Sequence, residues 1–182
     1  MKYNKYFKEY VNSISDLLDD VDANLIDQTV ELIKKTREKN KKIYIIGNGG
    51  SASIASHISV DFAKVAKVKS STFNNANLIS CFANDYGYEN WVAEAIKSYC
   101  DNGDLIILIS SSGKSKNIIN AAQYCNKNNF NLITFSGFDT NNPLNKMGNI
   151  NFYIKSENYN FIEMSHHIIL VSIVDIFAKN IL

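Results

Sequence analysis

The fold is decided by residues 42–51, which read Lys-Ile-Tyr-Ile-Ile-Gly-Asn-Gly-Gly-Ser. The first half is a short apolar run rich in isoleucine, which is typical of a buried β-strand. Residues 52–67 behind it are expected to form a helix. Glycines between strand and helix let backbone N–H groups approach a ligand closely, and the N-terminus of a helix favours an anion. The stretch therefore predicts a strand, a glycine-rich anion-binding loop with the hydroxyl of Ser51, and a helix.

Two side chains on the predicted helix add chemistry beside this loop. His57 and Asp61 are four residues apart, so both point to one face of the helix. An imidazole and a carboxylate on one face can bind a metal ion or transfer a proton. The spacing alone leaves both uses open.

Length and charge limit the classes of protein. The 182 residues suffice for one domain with a sizeable core, and 19 basic against 18 acidic residues leave the net charge near zero. No global electrostatic field therefore favours direct binding of nucleic acid or of an anionic membrane. No apolar run approaches the roughly 20 residues of a membrane span, and the first residues lead into a charged helix instead of a signal peptide. These features predict a cytoplasmic protein.

The three cysteines are Cys81, Cys100 and Cys125. They are odd in number and far apart, without the paired spacing of a zinc site or a disulfide framework. We therefore expect buried thiols without a catalytic role.

Strands and helices alternate along most of the chain. Apolar residues at spacings of three and four predict two helices before the first strand, over residues 7–18 and 23–39. Further strands are predicted over 71–74, 104–109, 131–136 and 150–154, and further helices over 77–82, 90–99, 116–128 and 160–179. This alternation predicts one doubly wound α/β domain. The helical pair ahead of it could cover the sheet or pack against another subunit.

A second loop, residues 110–115, reads Ser-Ser-Ser-Gly-Lys-Ser between an apolar strand and a helix. Its hydroxyls and the N–H groups of the helix N-terminus converge on one point, which suits a single phosphate without a metal. A polar turn with one capping serine is the alternative, but it explains only one of the four serines. Because both loops follow strands, both are expected at the carboxyl edge of the sheet, where α/β proteins bind ligands.

Two nucleotide-binding motifs are matched only in part. Residues 47–52 fit the G-x-G-x-x-A dinucleotide pattern, but residues 67–72 lack the acidic residue that would bind the ribose. Residues 113–115 resemble the end of a P-loop, but its first glycine would fall on Leu108. Dinucleotide binding and nucleotide hydrolysis are both disfavoured.

Three ordered stretches, residues 47–51, 84–89 and 109–115, resemble the sugar isomerase (SIS) domain, and within it the phosphoheptose isomerases. The resemblance covers nearly the whole chain. It implies a five-stranded parallel sheet with flanking helices, and a homotetramer with the N-terminal helices of residues 1–40 in the interface and residues 41–182 as the SIS domain. It also implies conversion of sedoheptulose 7-phosphate to D-glycero-D-manno-heptose 7-phosphate in heptose and surface-polysaccharide biosynthesis. The implied substrate-binding residues are Asn48, Gly49, Gly50, Ser51, Asp85, Ser110, Ser111, Ser112 and Ser115.

The family's catalytic positions are only partly matched. Its helix after the first loop carries His and, four residues on, Glu, where this chain has His57 and Asp61. Its closing helix carries Gln and, eight residues on, a His used in acid–base chemistry and zinc binding, where this chain has Glu163 and Val171. The resemblance thus implies His57, Asp61 and Glu163 as metal ligands, with zinc as the cofactor and one ligand position lost.

An extra histidine lies close to the altered positions. His166 matches a further family histidine, whereas His167 does not and is four residues from Glu163 on one helical face, so it could replace the lost group. The predicted catalytic residues are therefore Asp61, Glu163 and His167. The alternative is a non-catalytic SIS tetramer that binds a phosphosugar or a partner protein such as the replication initiator. Val171 favours this alternative, and the intact phosphate loop opposes it.

Overall fold

Five parallel strands form the sheet at the centre of the computed structural model, which describes residues 2–179. The strands are β1 (Ile43–Gly47), β2 (Ser70–Ser71), β3 (Leu105–Ile109), β4 (Asn131–Gly137) and β5 (Ile150–Ile154). Their order is β2-β1-β3-β4-β5, and every neighbouring pair is parallel. The strand order reverses between β1 and β3, so the carboxyl ends of these two strands form the crevice in which open α/β sheets bind ligands. The predicted five-stranded doubly wound fold is confirmed.

Helices cover both faces of this sheet. They are α1 (Lys2–Asp19), α2 (Ala23–Glu38), α3 (Gly50–Lys64), α4 (Ala76–Tyr86), α5 (Trp91–Tyr99), α6 (Lys116–Lys127) and α7 (Tyr159–Ala178), with a 3₁₀ turn at Pro143–Lys146. Most boundaries lie within two residues of the prediction; α1 begins five residues earlier than predicted, and the ends of α3 and α4 also differ. α3 ends early because Lys67 adopts φ +56°, and α4 continues until Gly87 at φ +83°.

The pleat of β1 distributes its side chains between two cores. Ile43 and Ile45 pack in the core shared with α2, α3 and α7, whereas Tyr44 and Ile46 pack in the core shared with α5 and α6. β1 and β3 are buried along their whole length. Burial on both faces explains why these two strands read as continuous apolar runs without alternation.

The two N-terminal helices have different surroundings. α2 covers the sheet, since Ile33 is fully buried in the core. α1 packs on α7, where the rings of Tyr10 and Phe161 meet edge to face at 4.8 Å. Tyr3, Tyr6, Phe7 and Val11 on α1 remain exposed. α2 therefore covers the sheet, which is one of the two uses left open by the sequence, and α1 keeps an apolar surface that the described residues 2–179 do not cover.

α7 is long and apolar enough to cross a membrane by length and composition alone. One side of it nevertheless lies in the core, where Ile162, Ile169, Leu170 and Ile173 are buried. This packing makes α7 the core helix of an α/β domain.

The cysteines differ in environment, and the expectation that all three are buried is wrong for Cys81. Cys125 is buried, which raises its pKa to about 12, and Cys100 is half-buried with a raised pKa for the same reason. Cys81 is exposed because α4 contributes no fully buried residue to the fold. All three thiols are free.

Candidate active site

A cleft of about 260 Å³ lies at the carboxyl ends of β1 and β3 and brings the two predicted loops together. It is lined by Asn48, Gly49, Gly50, Ser51, Ile109, Ser110, Ser111, Ser112, Ser115, Tyr159 and Glu163. Every predicted substrate-binding residue except Asp85 is among them. Asp85 is exposed on α4, where it accepts a hydrogen bond from Asn84. Tyr159, which the sequence did not single out, enters the cleft because it begins α7.

The glycine loop brings Glu163 close to the backbone at the start of α3. A Cβ on Gly50 would lie 2.6 Å from the Glu163 carboxyl carbon, so only glycine leaves room for this carboxylate. The helix begins after Gly49 at φ +54°, which makes no side-chain capping bond. A carboxylate is favoured at a helix N-terminus, where backbone N–H groups lack partners. Glu163 therefore contributes a negative charge at the end of the cleft formed by the glycine loop.

The serine loop keeps hydroxyl groups available for a ligand. Ser115 is the N-cap of α6, yet its side chain makes no capping hydrogen bond and instead accepts one from Ser110 at 3.1 Å. The hydroxyl of Ser111 is buried without any hydrogen-bond partner. An unsatisfied buried hydroxyl costs about 1–3 kcal/mol, so a ligand that bonds to it gains that energy. The capping alternative is not observed, and phosphate binding is the better interpretation of these serines.

No lysine or arginine of the described residues 2–179 lines this cleft. Lys114 in the serine loop lies 3.5 Å from Asp139, whose pKa is lowered by the backbone hydrogen bond from Asn141 and further by Lys114. An anion in the cleft would therefore bind neutral hydroxyls, backbone N–H groups and the N-terminus of α6.

Buried asparagines support both loops. Asn48 and Asn117 exchange two amide hydrogen bonds of 2.9 Å, and Asn117 is buried at the start of α6. Asn142 is fully buried against Gly113. Gly113 has φ +63°, and a Cβ added to it would collide with the Asn142 side chain. Sequence reasoning did not single out Asn117 and Asn142, because the chain is rich in exposed asparagine and nothing local distinguishes these two.

His57 lies between Asp61 and His167 and connects α3 with α7, with a hydrogen bond to His167 and a close polar contact to Asp61. The Nε2 of His57 lies 3.1 Å from a carboxylate oxygen of Asp61, and its Nδ1 lies 2.8 Å from Nε2 of His167. Partial burial lowers the pKa of His167, and the neighbouring His57 lowers it further against the opposing effect of Asp61. The predicted pairing of His57 and Asp61 on one helix face is observed, and His167 completes it from the other helix.

His57, Asp61 and His167 lie beside a second, apolar cleft and not in the cleft formed by the glycine and serine loops. The second cleft is lined by His57, Met164, His167, Ile168, Val171, Ser172 and Asp175. Glu163 precedes His167 by one turn of α7 and lines the first cleft. The predicted catalytic residues are therefore divided between two clefts. Glu163 lines the first cleft, whereas Asp61 and His167 lie beside the second.

The predicted metal ligands are not assembled into one site. Within residues 2–179, no group of three or more His, Cys, Asp and Glu side chains could hold a metal ion. Both ring nitrogens of His57 already have protein partners, Glu163 lies against Gly50, and Val171 has no ligand atom. Because zinc sites use at least three protein ligands, these residues as arranged do not fit a zinc ion.

The fold and the two loops define a SIS domain, and residues 5–137 match the family model of that description. The chain belongs to the SIS domain family. It is similar to the phosphoheptose isomerase of Thermodesulfovibrio yellowstonii, with 32% identity over 79% of this chain and 74% of the relative. It is also 30% identical to the phosphoheptose isomerase of Sulfurimonas denitrificans, over 97% of this chain and 96% of the relative.

Solved structures show the same fold. The phosphoheptose isomerase of Francisella tularensis superposes with a TM-score of 0.85 at 22% identity, covering 98% of this chain and 97% of that one. The phosphoheptose isomerase of Neisseria gonorrhoeae gives a TM-score of 0.86 at 20% identity and covers 97% of each chain. The predicted resemblance to SIS-domain phosphoheptose isomerases is confirmed.

Proposed function

We propose that this protein is a phosphosugar isomerase that converts sedoheptulose 7-phosphate to D-glycero-D-manno-heptose 7-phosphate. The observation that carries the proposal is the serine loop at the N-terminus of α6, in which the Ser111 hydroxyl is buried without a hydrogen-bond partner and which lines the same cleft as the carboxylate of Glu163. The reaction class is supported by two relatives named phosphoheptose isomerase, whose alignments cover 79% and 97% of this chain. The product would enter the synthesis of heptose for surface polysaccharide in the cytoplasm.

Substrate binding begins with the phosphate. Its oxygens accept hydrogen bonds from the serine hydroxyls and from the N–H groups that begin α6, which places the phosphate at the serine end of the cleft. The sugar then extends toward the glycine loop and Glu163. A phosphate at one end and a carboxylate at the other give the cleft a direction, so the substrate binds in one orientation.

The reaction transfers hydrogen between two adjacent carbons. A base removes a proton from C1 of the ketose while the carbonyl oxygen at C2 gains one, which gives the enediol; a proton then returns to C2 as the hydroxyl proton on O1 leaves, which gives the aldose. Glu163 lines the cleft and is the residue assigned to proton transfer at carbon. His167, one turn of α7 beyond Glu163, and Asp61 on α3 are assigned to proton transfer at oxygen.

Two sets of variants test this assignment. The pair Ser112→Ala and Ser115→Ala should weaken binding of sedoheptulose 7-phosphate in calorimetry by at least about tenfold, since hydrogen bonds to charged groups contribute about 1.5–3 kcal/mol each. Ser98→Ala on the exposed side of α5 is the matched control. Unchanged affinity in the double variant would refute the phosphate site.

Turnover is measured separately by following the product with NMR. Glu163→Gln and Asp61→Asn should each remove most activity, and His166→Ala should remove less because His166 lies in the core and not in the cleft. Full activity of both carboxamide variants would show that the catalytic assignment is wrong.

The second candidate is a non-catalytic SIS protein that binds a phosphosugar or a partner protein such as the replication initiator. Val171 favours it, because an apolar residue lies beside His57 where the resemblance implies an acid–base histidine. The same NMR assay decides between the candidates. Absence of any turnover with intact phosphosugar binding would support the binding protein.

A homotetramer with α1 in the interface is part of the proposal. Tyr6 and Phe7 are each 65% exposed, and Val11 extends the same apolar surface by one turn. Exposed apolar surface of this kind is typical of protein–protein contacts. Light scattering at micromolar concentration should give the mass of a tetramer, and Tyr6→Lys with Phe7→Lys should lower it; a monomeric mass for the wild type would overturn this part.

A further inference from the structure

The environment of His57 leaves neither ring nitrogen free. Asp61 can only accept a hydrogen bond while it is ionised, so Nε2 of His57 carries the proton that faces Asp61 at 3.1 Å. In the neutral ring, Nδ1 then presents a lone pair, and it faces Nε2 of His167 at 2.8 Å. His167 therefore donates its Nε2–H to His57, and the network assigns both tautomers.

Two facing ring nitrogens at this distance share either a proton or a cation. A zinc ion would need the lone pairs of both rings at about 2.0–2.1 Å and at least one further protein ligand. The cleft beside the two rings is lined on α7 by Met164, Ile168, Val171, Ser172 and Asp175, and within residues 2–179 neither Asp61 nor Asp175 completes a group of three ligands that could hold a metal ion. The donor set therefore favours a shared proton.

An apolar wall lies beside this hydrogen bond. Met164, Ile168 and Val171 line the cleft next to both histidines, while the contact between the rings is exposed to solvent. A histidine at position 171 would replace this wall with a third imidazole on the same face of α7, because residues 167 and 171 are four apart.

We propose that Asp61, His57 and His167 form a metal-free hydrogen-bonded chain in the place where the resemblance implies a zinc centre. In this network Asp61 and His167 also fix the tautomer of His57, in addition to the proton transfer assigned to them under the proposed function. The catalytic meaning of the proposal rests on the proposed isomerase function, whereas its structural content does not. For the isomerase it means that proton transfer depends on protein side chains alone.

The test uses the full chain, whose only histidines are His57, His166 and His167. Imidazole ¹H–¹⁵N correlation spectra should show His57 protonated at Nε2 and unprotonated at Nδ1. Addition of one equivalent of ZnCl₂ should leave the shifts of His57 and His167 unchanged. Val171→His is the matched gain-of-ligand variant and should bind zinc with a shift of all three facing imidazoles, while Val171→Ala should behave as the wild type.

Two results would overturn the proposal. One is stoichiometric zinc binding by the wild type that His167→Ala abolishes, and the other is a His57 ring protonated at Nδ1 instead of Nε2. Turnover distinguishes this proposal from the proposed function. An inactive protein with the expected spectrum refutes only the isomerase, whereas an isomerase that loses activity with a chelator and recovers it with zinc refutes only the metal-free chain.

Discussion

Lowering the pH should destabilise this protein through His166. The side chain is fully buried on α7, its Nε2 lies 3.1 Å from the carbonyl oxygen of Ser136, and its Nδ1 has no hydrogen-bond partner. Burial lowers its pKa from 6.5 to about 4, and the bond to Ser136 opposes this shift only in part. His166 is therefore neutral in the folded protein at neutral pH.

The sign and size of the effect follow from linkage. Between the folded pKa of about 4 and the unfolded value of about 6.5, the unfolded chain binds more protons than the folded one, so the free energy of unfolding falls as the pH falls. The contribution is fully present above the unfolded pKa and is lost as the pH approaches the folded one. A difference of about 2.5 pKa units corresponds to about 3 kcal/mol.

Urea denaturation of the wild type and of His166→Gln, each at pH 7 and pH 4, isolates this contribution. The glutamine amide can still donate to Ser136 but does not titrate, and the carboxylates of the chain titrate equally in both proteins. We expect the wild type to lose about 3 kcal/mol more than the variant over this interval. Parallel pH dependence of the two proteins would refute the reasoning.

Three further substitutions probe the loops. Gly50→Ala should displace the Glu163 carboxylate and lower kcat by about 10- to 100-fold, because misplacement of about 1 Å has effects of that size; unchanged kcat would contradict the contact. Gly113→Ala should lower the unfolding free energy by at least about 1–2 kcal/mol in urea, since φ +63° is unfavourable for alanine, and a neutral result would speak against this backbone geometry. Asn117→Ala should cost about 1–3 kcal/mol of stability by leaving the amide of Asn48 unpaired, and thermal unfolding at the wild-type temperature would count against the pair.

The sequence predicts most of the fold because its decisive signals are local. The apolar runs of β1 and β3 are each followed at once by glycine or serine, so strand, loop and edge of the sheet could be predicted from neighbouring residues. The position of the serine loop at this edge was predictable for the same reason. Cys81 shows the limit of such patterns, since its exposure depends on how α4 packs and not on its own residue type.

The rest of the site depends on contacts between distant segments. His57 and His167 are 110 positions apart, and Asn48 and Asn117 are 69 apart. Helical spacing correctly placed His57 with Asp61 and left open what His167 contacts. The separation of Glu163 from His57 could not be predicted, because it depends on the angle at which α3 and α7 pack.

The absence of lysine and arginine from the lining of this cleft, within residues 2–179, has a consequence for how the protein responds to dissolved salt. Sites that hold phosphate with lysine or arginine lose affinity as dissolved ions screen the attraction between separated charges. Here the donors are hydroxyl and backbone groups in direct contact with the ligand, and the nearest loop lysine is engaged with Asp139. Short contacts in a partly buried cleft are screened much less. Binding of a phosphorylated ligand in this cleft should therefore change little as the salt concentration rises and falls.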